Sequence, residues 1–87
     1  NKDKIYQCTI EGFSKKMIHL NINEIDFTAF LYKSHLKPDR YRVARNKHAL
    51  VGQFSKKTYK VGDELNTYIE KVDMFNQEIF LRLSKSK

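Results

Sequence analysis

The chain has 87 residues, 17 Lys plus Arg against 10 Asp plus Glu, and a formal net charge of +7. A chain this short buries about 60–65% of the surface its unfolded form exposes, so one compact core is expected and a multi-domain enzyme with a cleft between lobes is excluded. Hydrophobic residues make up 40% and include five Tyr and six Phe, which excludes the low-hydrophobicity, high-charge composition of a disordered chain.

The chain opens on Asn1 rather than Met, as a piece excised from a longer protein would. Tyr6, Cys8 and Ile10 alternate with Gln7, Thr9 and Glu11 in the period of two of a half-buried strand, and Gly12 marks a bend or bulge. Cys8 is the one cysteine, so it has no internal disulfide partner. It reads as a small buried apolar residue in a reducing compartment, by default the cytoplasm. After the polar turn Ser14-Lys15-Lys16, a second strand alternates Ile18, Leu20 and Ile22 with His19, Asn21 and Asn23. A third, Phe27 to Tyr32, is largely apolar on both faces, so it is either central or offers an aromatic face to a ligand. Ser34 is placed to cap a short helical turn that Pro38 then stops.

From Arg40 to Lys60 the pattern is irregular, with Val43-Ala44 and Ala49-Leu50-Val51 suited to a small hairpin. Charge concentrates here. Between Lys33 and Lys60 stand nine bases and one acid, Asp39, a balance of +8, whereas the remainder holds eight bases and nine acids. A localised basic segment calls for an anionic partner, because neutralising phosphates releases counterions. The bland reading is a solvated, solubilising loop. Beyond the turn pair Gly62-Asp63, a fourth strand alternates Leu65, Thr67 and Ile69 with Asn66, Tyr68 and Glu70. Val72 to Gln77 closes a hairpin onto a fifth strand with Ile79, Leu81 and Leu83 on one face and Glu78, Phe80 and Arg82 on the other. No apolar run approaches the roughly 20 residues of a membrane span, so no membrane partner is expected. Three strands, a basic connection and a final hairpin give an all-β, five-stranded Greek-key barrel of the OB type, with a five-stranded sheet on one helix as the competitor.

The runs Val61-Gly62-Asp63-Glu64-Leu65, Tyr68-Ile69-Glu70-Lys71-Val72-Asp73 and Ile79-Phe80-Leu81-Arg82-Leu83-Ser84 resemble the last two strands of the S-one domain. That domain is the RNA-binding OB module named after the largest protein of the small ribosomal subunit. Thr28 to Leu36 is similar to that family's Glu-Gly-Leu-Val-His-Ile-Ser-x-Leu segment, with Leu31, Ser34 and Leu36 in register. More specific is the spacing Tyr41, His48-Ala49-Leu50-Val51-Gly52, then Ser55-x-Lys57-Thr58-Tyr59-x-Val61-Gly62-Asp63. It resembles the S-one domain of bacterial ribonuclease R, and ordinary S-one domains lack it. The resemblance implies one S-one-type domain over residues 1–87, ending in a polar tail at 84–87. It implies an accessory domain that binds single-stranded RNA and is a monomer, without enzymatic activity of its own. The parent would be a processive, cytoplasmic 3′→5′ exoribonuclease, with magnesium in its catalytic domain and cold-shock-type domains in the same chain.

The sequence departs from the family in strand two, where the Phe-Gly-x-Phe positions hold Lys16-Met17-Ile18-His19. Tyr32 stands where the family has a His, and the Arg that usually follows the Asp at Asp73 falls near Gln77 or Glu78. Single-stranded RNA is held by a positive groove and by rings on which bases stack. The candidate platform is His19, Phe30, Tyr32 and Phe80, with Lys16 and Arg82 beside it, and Lys33, His35, Arg40, Arg42, Arg45 and Lys47 as the basic rim. Against this, Phe30 also fits the core, Phe80 a cross-strand pair, His19 an idle surface position, and the arginines a solvated loop.

Other chemistry finds less support. Cys8, His19, His35 and His48 lack the paired spacing of a zinc site, so no metal is expected in this chain. A small metal-dependent nuclease would need Asp63, Glu64, Asp73 and Glu78 to converge, whereas the first and third read as turn residues. A protein-interaction module is the remaining alternative.

Overall fold

A computed structural model of the chain describes residues 4–36, 41–44, 48–54 and 56–84. Eight strands appear in chain order: β1 (Tyr6–Phe13), β2 (Met17–Ile22), β3 (Phe27–Tyr32), β4 (Tyr41–Val43), β5 (Ala49–Gly52), β6 (Thr58–Lys60), β7 (Glu64–Asp73) and β8 (Glu78–Leu83). Five of them close a barrel in the order β1-β2-β3-β8-β7, and β4-β5-β6 form a separate three-stranded sheet. The barrel is the expected all-β OB arrangement, closed by antiparallel β7 on β1 and by the parallel pair β3 and β8. The competing sheet on a helix is not what forms: among the described residues a single 3-10 turn, Lys33–His35, is the helical element. No helix among the described residues is long and apolar enough to cross a membrane.

Alternation builds the barrel. Ile18, Leu20 and Ile22 of β2 and Ala29 and Leu31 of β3 point inward and are buried, as are Cys8, Ile10 and Leu81. The β1–β2 ladder slips by one residue between Ile10 and Gly12, which makes the predicted bulge at that glycine. Among the described residues one polar side chain, Thr67, enters the core. Thr67 Oγ1 donates to the Tyr6 carbonyl at 3.2 Å and lies 3.3 Å from Cys8 Sγ, so the buried hydroxyl and thiol each find a partner. Burial pushes the Cys8 thiol up, and the Thr67 contact opposes that only in part. Cys8 is therefore a core residue, as its setting in the sequence suggests.

The described residues of the connection between β3 and β7 hold more strand than their sequence predicts. The small hairpin gains a third strand, Thr58–Lys60, and its first strand is Tyr41–Val43 rather than Val43-Ala44. Leu36, Leu50 and Tyr59 from this connection join the barrel's core cluster, so the small sheet is anchored by burial. The 3-10 turn starts at Lys33 with no side-chain cap, so Ser34 does not cap it as expected. β7 runs to Asp73 rather than ending at Glu70, which leaves Met74–Gln77 as the hairpin turn.

Two aspartates are committed to turns. Asp63 Oδ2 accepts from the Lys60 backbone N–H at 2.8 Å, beside Gly62 at φ 98, a conformation that favours glycine. This turn is also bonded to β1: Gly62 N–H donates to the Ile10 carbonyl at 2.8 Å, and Ile10 N–H donates to the Asp63 carbonyl at 2.9 Å. At the β7–β8 turn, Asp73 accepts from the Asn76 backbone N–H at 3.1 Å and from Asn76 Nδ2 at 3.0 Å.

Candidate nucleic-acid interface

The pleat that buries one face of β2, β3 and β8 turns the other face outward, and there the register lines up rings. His19 pairs with Phe30 across β2–β3, and Phe30 with Phe80 across β3–β8. The His19 and Phe30 rings meet edge to face at 5.3 Å, and those of Phe30 and Phe80 lie 6.1 Å apart at 41°. Tyr32 stacks on Phe80 at 5.8 Å and 8°, and His35 meets Tyr32 edge to face at 5.5 Å. Five rings from three strands and one turn thus form a continuous surface. Tyr32 is 36% exposed, and the other four are half-buried. This arrangement is neither core nor isolated cross-strand pairing, because each ring keeps part of its surface to solvent while fixing its neighbour.

Cations border the rings. Lys71 Nζ sits 5.7 Å from the Phe80 ring centroid. Extending the alternation of Leu65, Thr67 and Ile69 would turn Lys71 inward. The β7–β8 ladder instead slips between Ile69 and Lys71, so Lys71 pairs with Phe80 and shares its outward face. Tyr68, paired with Arg82, is another outward ring that alternation in β7 could have singled out. A two-residue pattern does not reveal the position of a bulge, which is why Lys71 escapes a reading of the sequence.

The other predicted contacts divide. Lys33 belongs to the 3-10 turn, its backbone N–H donating to the Lys16 carbonyl and its Nζ to the Lys15 carbonyl, both at 2.9 Å. Burial lowers its pKa. Lys16 is exposed in the β1–β2 turn next to it, so both lysines stand at the Tyr32 end of the face. Arg82 follows Phe80 outward on β8, but its Nη2 pairs with Glu70 Oε2 at 3.0 Å, and this bond raises its pKa. That guanidinium is held within the face rather than extended from it. Two buried nitrogens at this face, His35 Nδ1 and Arg82 Nε, have no hydrogen-bond partner among the described residues. Arg42 is exposed on β4, in the small sheet, where it pairs with Val51 rather than with a strand of the ring row. Arg40, Arg45 and Lys47 lie outside the described residues.

Three of the four carboxylates weighed for hydrolysis are engaged in local hydrogen bonds. Asp63 and Asp73 close turns, and Glu64 accepts from Gln7 Nε2 at 2.8 Å. No group of three or more His, Cys, Asp and Glu side chains able to hold a metal ion occurs among the described residues.

No protein-family model matches the chain. Among curated proteins it is 28% identical over 78 residues to the acetazolamide conferring resistance protein zam of Synechocystis, covering 90% of this chain and 10% of that protein. Among solved structures it is similar to RNase R of Mycoplasma genitalium, both in its apo form and in complex with ribose methylated single-stranded RNA. Each likeness has a TM-score of 0.84 at 22% identity and covers 93% of this chain and 13% of the RNase R chain. The chain therefore spans only a small part of the proteins it matches. The likeness shows the fold alone, over 93% of this chain.

Proposed function

We propose that the chain is a single-stranded RNA-binding accessory domain of a ribonuclease R-like 3′→5′ exoribonuclease, with little sequence preference. The observation that carries this reading is the row of rings on the outer face of β2, β3 and β8, with Tyr32 stacked on Phe80 and Lys71 against it. Every base has a π-face, so such a row takes bases of any sequence, while nearby cations take the phosphates. His19, Phe30, Tyr32 and Phe80 form the platform and Lys71, Lys33 and Lys16 its border. His35 and Arg82 hold Tyr32 and the β8 edge, and Arg40, Arg42, Arg45 and Lys47 supply the longer-range positive field. The solved relative in complex with single-stranded RNA supports RNA as the ligand. Within a parent enzyme, magnesium-dependent hydrolysis belongs to a separate catalytic domain, and this domain, a monomer in the cytoplasm, holds substrate beside it and the cold-shock-type domains.

Fluorescence anisotropy with labelled single-stranded and duplex RNA of one sequence tests this. Single-stranded RNA is expected to bind better, and Tyr32→Ala is expected to weaken it by about 5- to 100-fold, the range of one lost stacking partner. Equal binding of duplex, or no effect of Tyr32→Ala, would remove the platform. Turnover of the RNA in magnesium by the isolated chain would instead favour the nuclease alternative.

A further inference from the structure

We propose that Glu11 makes the ring row select ribose over deoxyribose, its carboxylate accepting a hydrogen bond from the 2′-hydroxyl of a nucleotide stacked beside Phe30. This rests on the RNA-binding reading above and adds to it the sugar that is recognised. The register brings Glu11 to the face. Ile10 pairs with Leu20 and Gly12 with His19, so Glu11 is the extra residue of the β1 bulge and has no cross-strand partner. Its side chain instead crosses β2 and accepts from Thr28 Oγ1 of β3 at 3.2 Å. Thr28 stands two residues before Phe30 on the same side of β3, a step of about 7 Å. It is paired with Asn21, the outward neighbour of His19 on β2. The bulge thus delivers a carboxylate from β1 to the end of the His19–Phe30 pair, and both Glu11 and Thr28 are exposed there.

An acid on a face that takes nucleic acid repels phosphates, and it costs affinity unless a donor meets it. The β7 bulge also has a glutamate as its extra residue, but Glu70 is paired with Arg82 at 3.0 Å. Glu11 has no ion pair among the described residues. Its partner is a hydroxyl, and an ionised carboxylate offers about four acceptor sites, so capacity for a second hydroxyl remains. In a single strand the 2′-hydroxyl is the donor that every ribonucleotide brings and every deoxyribonucleotide lacks. Exocyclic amino groups donate too, but only from some bases, whereas the ring row takes any base. Repulsion of the phosphates is the same for RNA and DNA, so the hydrogen bond alone sets the difference between them.

The test measures fluorescence anisotropy of the 87-residue chain with oligouridylates of one length that carry 2′-hydroxyl, 2′-hydrogen or 2′-fluoro sugars. The fluoro form keeps the ribose pucker without a proton to donate. The hydroxyl form is expected to bind about tenfold better than the other two, the low end of one hydrogen bond to a charged group. Glu11→Ala should bring the three affinities within about twofold, weakening the hydroxyl form and strengthening the other two. Glu11→Gln, which can still accept from Thr28 but carries no charge, should narrow the gap in the same direction. Glu64→Ala removes an equal charge from the β1–β7 flank and should leave the ratios as they are. Because Glu11 is exposed, thermal melting of its variants should match the parent. Equal binding of the three sugars by the parent overturns the proposal while the RNA-binding reading stands. So does Glu11→Ala strengthening all three alike, which would make the carboxylate a repelling charge only. A gap that Glu11→Ala abolishes for oligocytidylates but not for oligouridylates would assign Glu11 to a base amino group and overturn it as well. Absence of any RNA binding by the unaltered chain would overturn the reading it rests on.

Discussion

Tyr32 owes its role to its neighbours more than to its own exposure. Phe80 stacks on it at 5.8 Å and His35 meets it edge to face at 5.5 Å, and the part of the ring that stays exposed is what a base can reach. Phe80 in turn carries Lys71 Nζ over its ring, 5.7 Å from the centroid, and lies tilted against Phe30. Removing the Phe80 ring therefore frees Tyr32, whereas removing the Tyr32 hydroxyl does not. Tyr32→Phe is expected to bind RNA within about twofold of the parent, and Phe80→Ala to weaken it as much as Tyr32→Ala; anisotropy titrations measure both. In the interior, Thr67 is the residue on which polar satisfaction turns, serving Tyr6 and Cys8 together. Thr67→Val keeps the volume but leaves the Tyr6 carbonyl and the Cys8 thiol without that hydroxyl. It should lower unfolding stability by about 1–3 kcal/mol in urea denaturation, while Cys8→Ala in the same background adds less than it costs alone.

At the scale of elements, the turns carry more of the specification than the strands. Gly62 at φ 98 has open space where a Cβ would stand, so Gly62→Ala meets no steric contact and costs only its backbone conformation. A loss of about 1–2 kcal/mol follows. The Asp73 carboxylate is held below its ordinary value of 3.8, first by the Asn76 backbone N–H and then by the Asn76 side chain. A carboxyl depressed in the fold contributes stability that is present above its unfolded pKa and lost as pH falls through the folded one. The melting-temperature gap between the parent and Asp73→Ala should therefore be full at neutral pH and narrow below the unfolded value. The five barrel strands were legible because residues such as Ile18, Leu20 and Ile22 alternate cleanly with polar neighbours. Lys71 and the third strand of the small sheet were not. The first depends on a bulge that no periodicity marks, and the second is three residues long, Thr58–Lys60, with only Tyr59 buried. The basic residues were visible as charge, but charge carries no information about direction, so Arg82 reads as a phosphate contact although Glu70 holds it.

On the scale of the whole molecule, the small sheet is part of the barrel's stability and of its charge asymmetry. Leu50 is fully buried and belongs to the same core cluster as Leu20 and Leu31, so the basic connection cannot detach without opening that core. Leu50→Ala should lower the stability of a single cooperative transition by about 2–5 kcal/mol rather than produce a separate early one. Between Lys33 and Lys60 the sequence holds nine bases and one acid, against a nearly balanced remainder. Bases stacked on rings are insensitive to salt, whereas each neutralised phosphate adds about 0.7 to the slope of log affinity against log salt for a single strand. The two contributions can therefore be separated in one chain. Changing Arg40, Arg42 and Arg45 together to Ala should weaken all RNA sequences alike and flatten that slope, while Tyr32→Ala should shift the whole line downward with its slope kept. Affinity measured from low to moderate salt distinguishes them. A slope unchanged by the triple substitution would mean that the phosphates run past Lys71, Lys33 and Lys16 instead, and that the small sheet serves the fold alone.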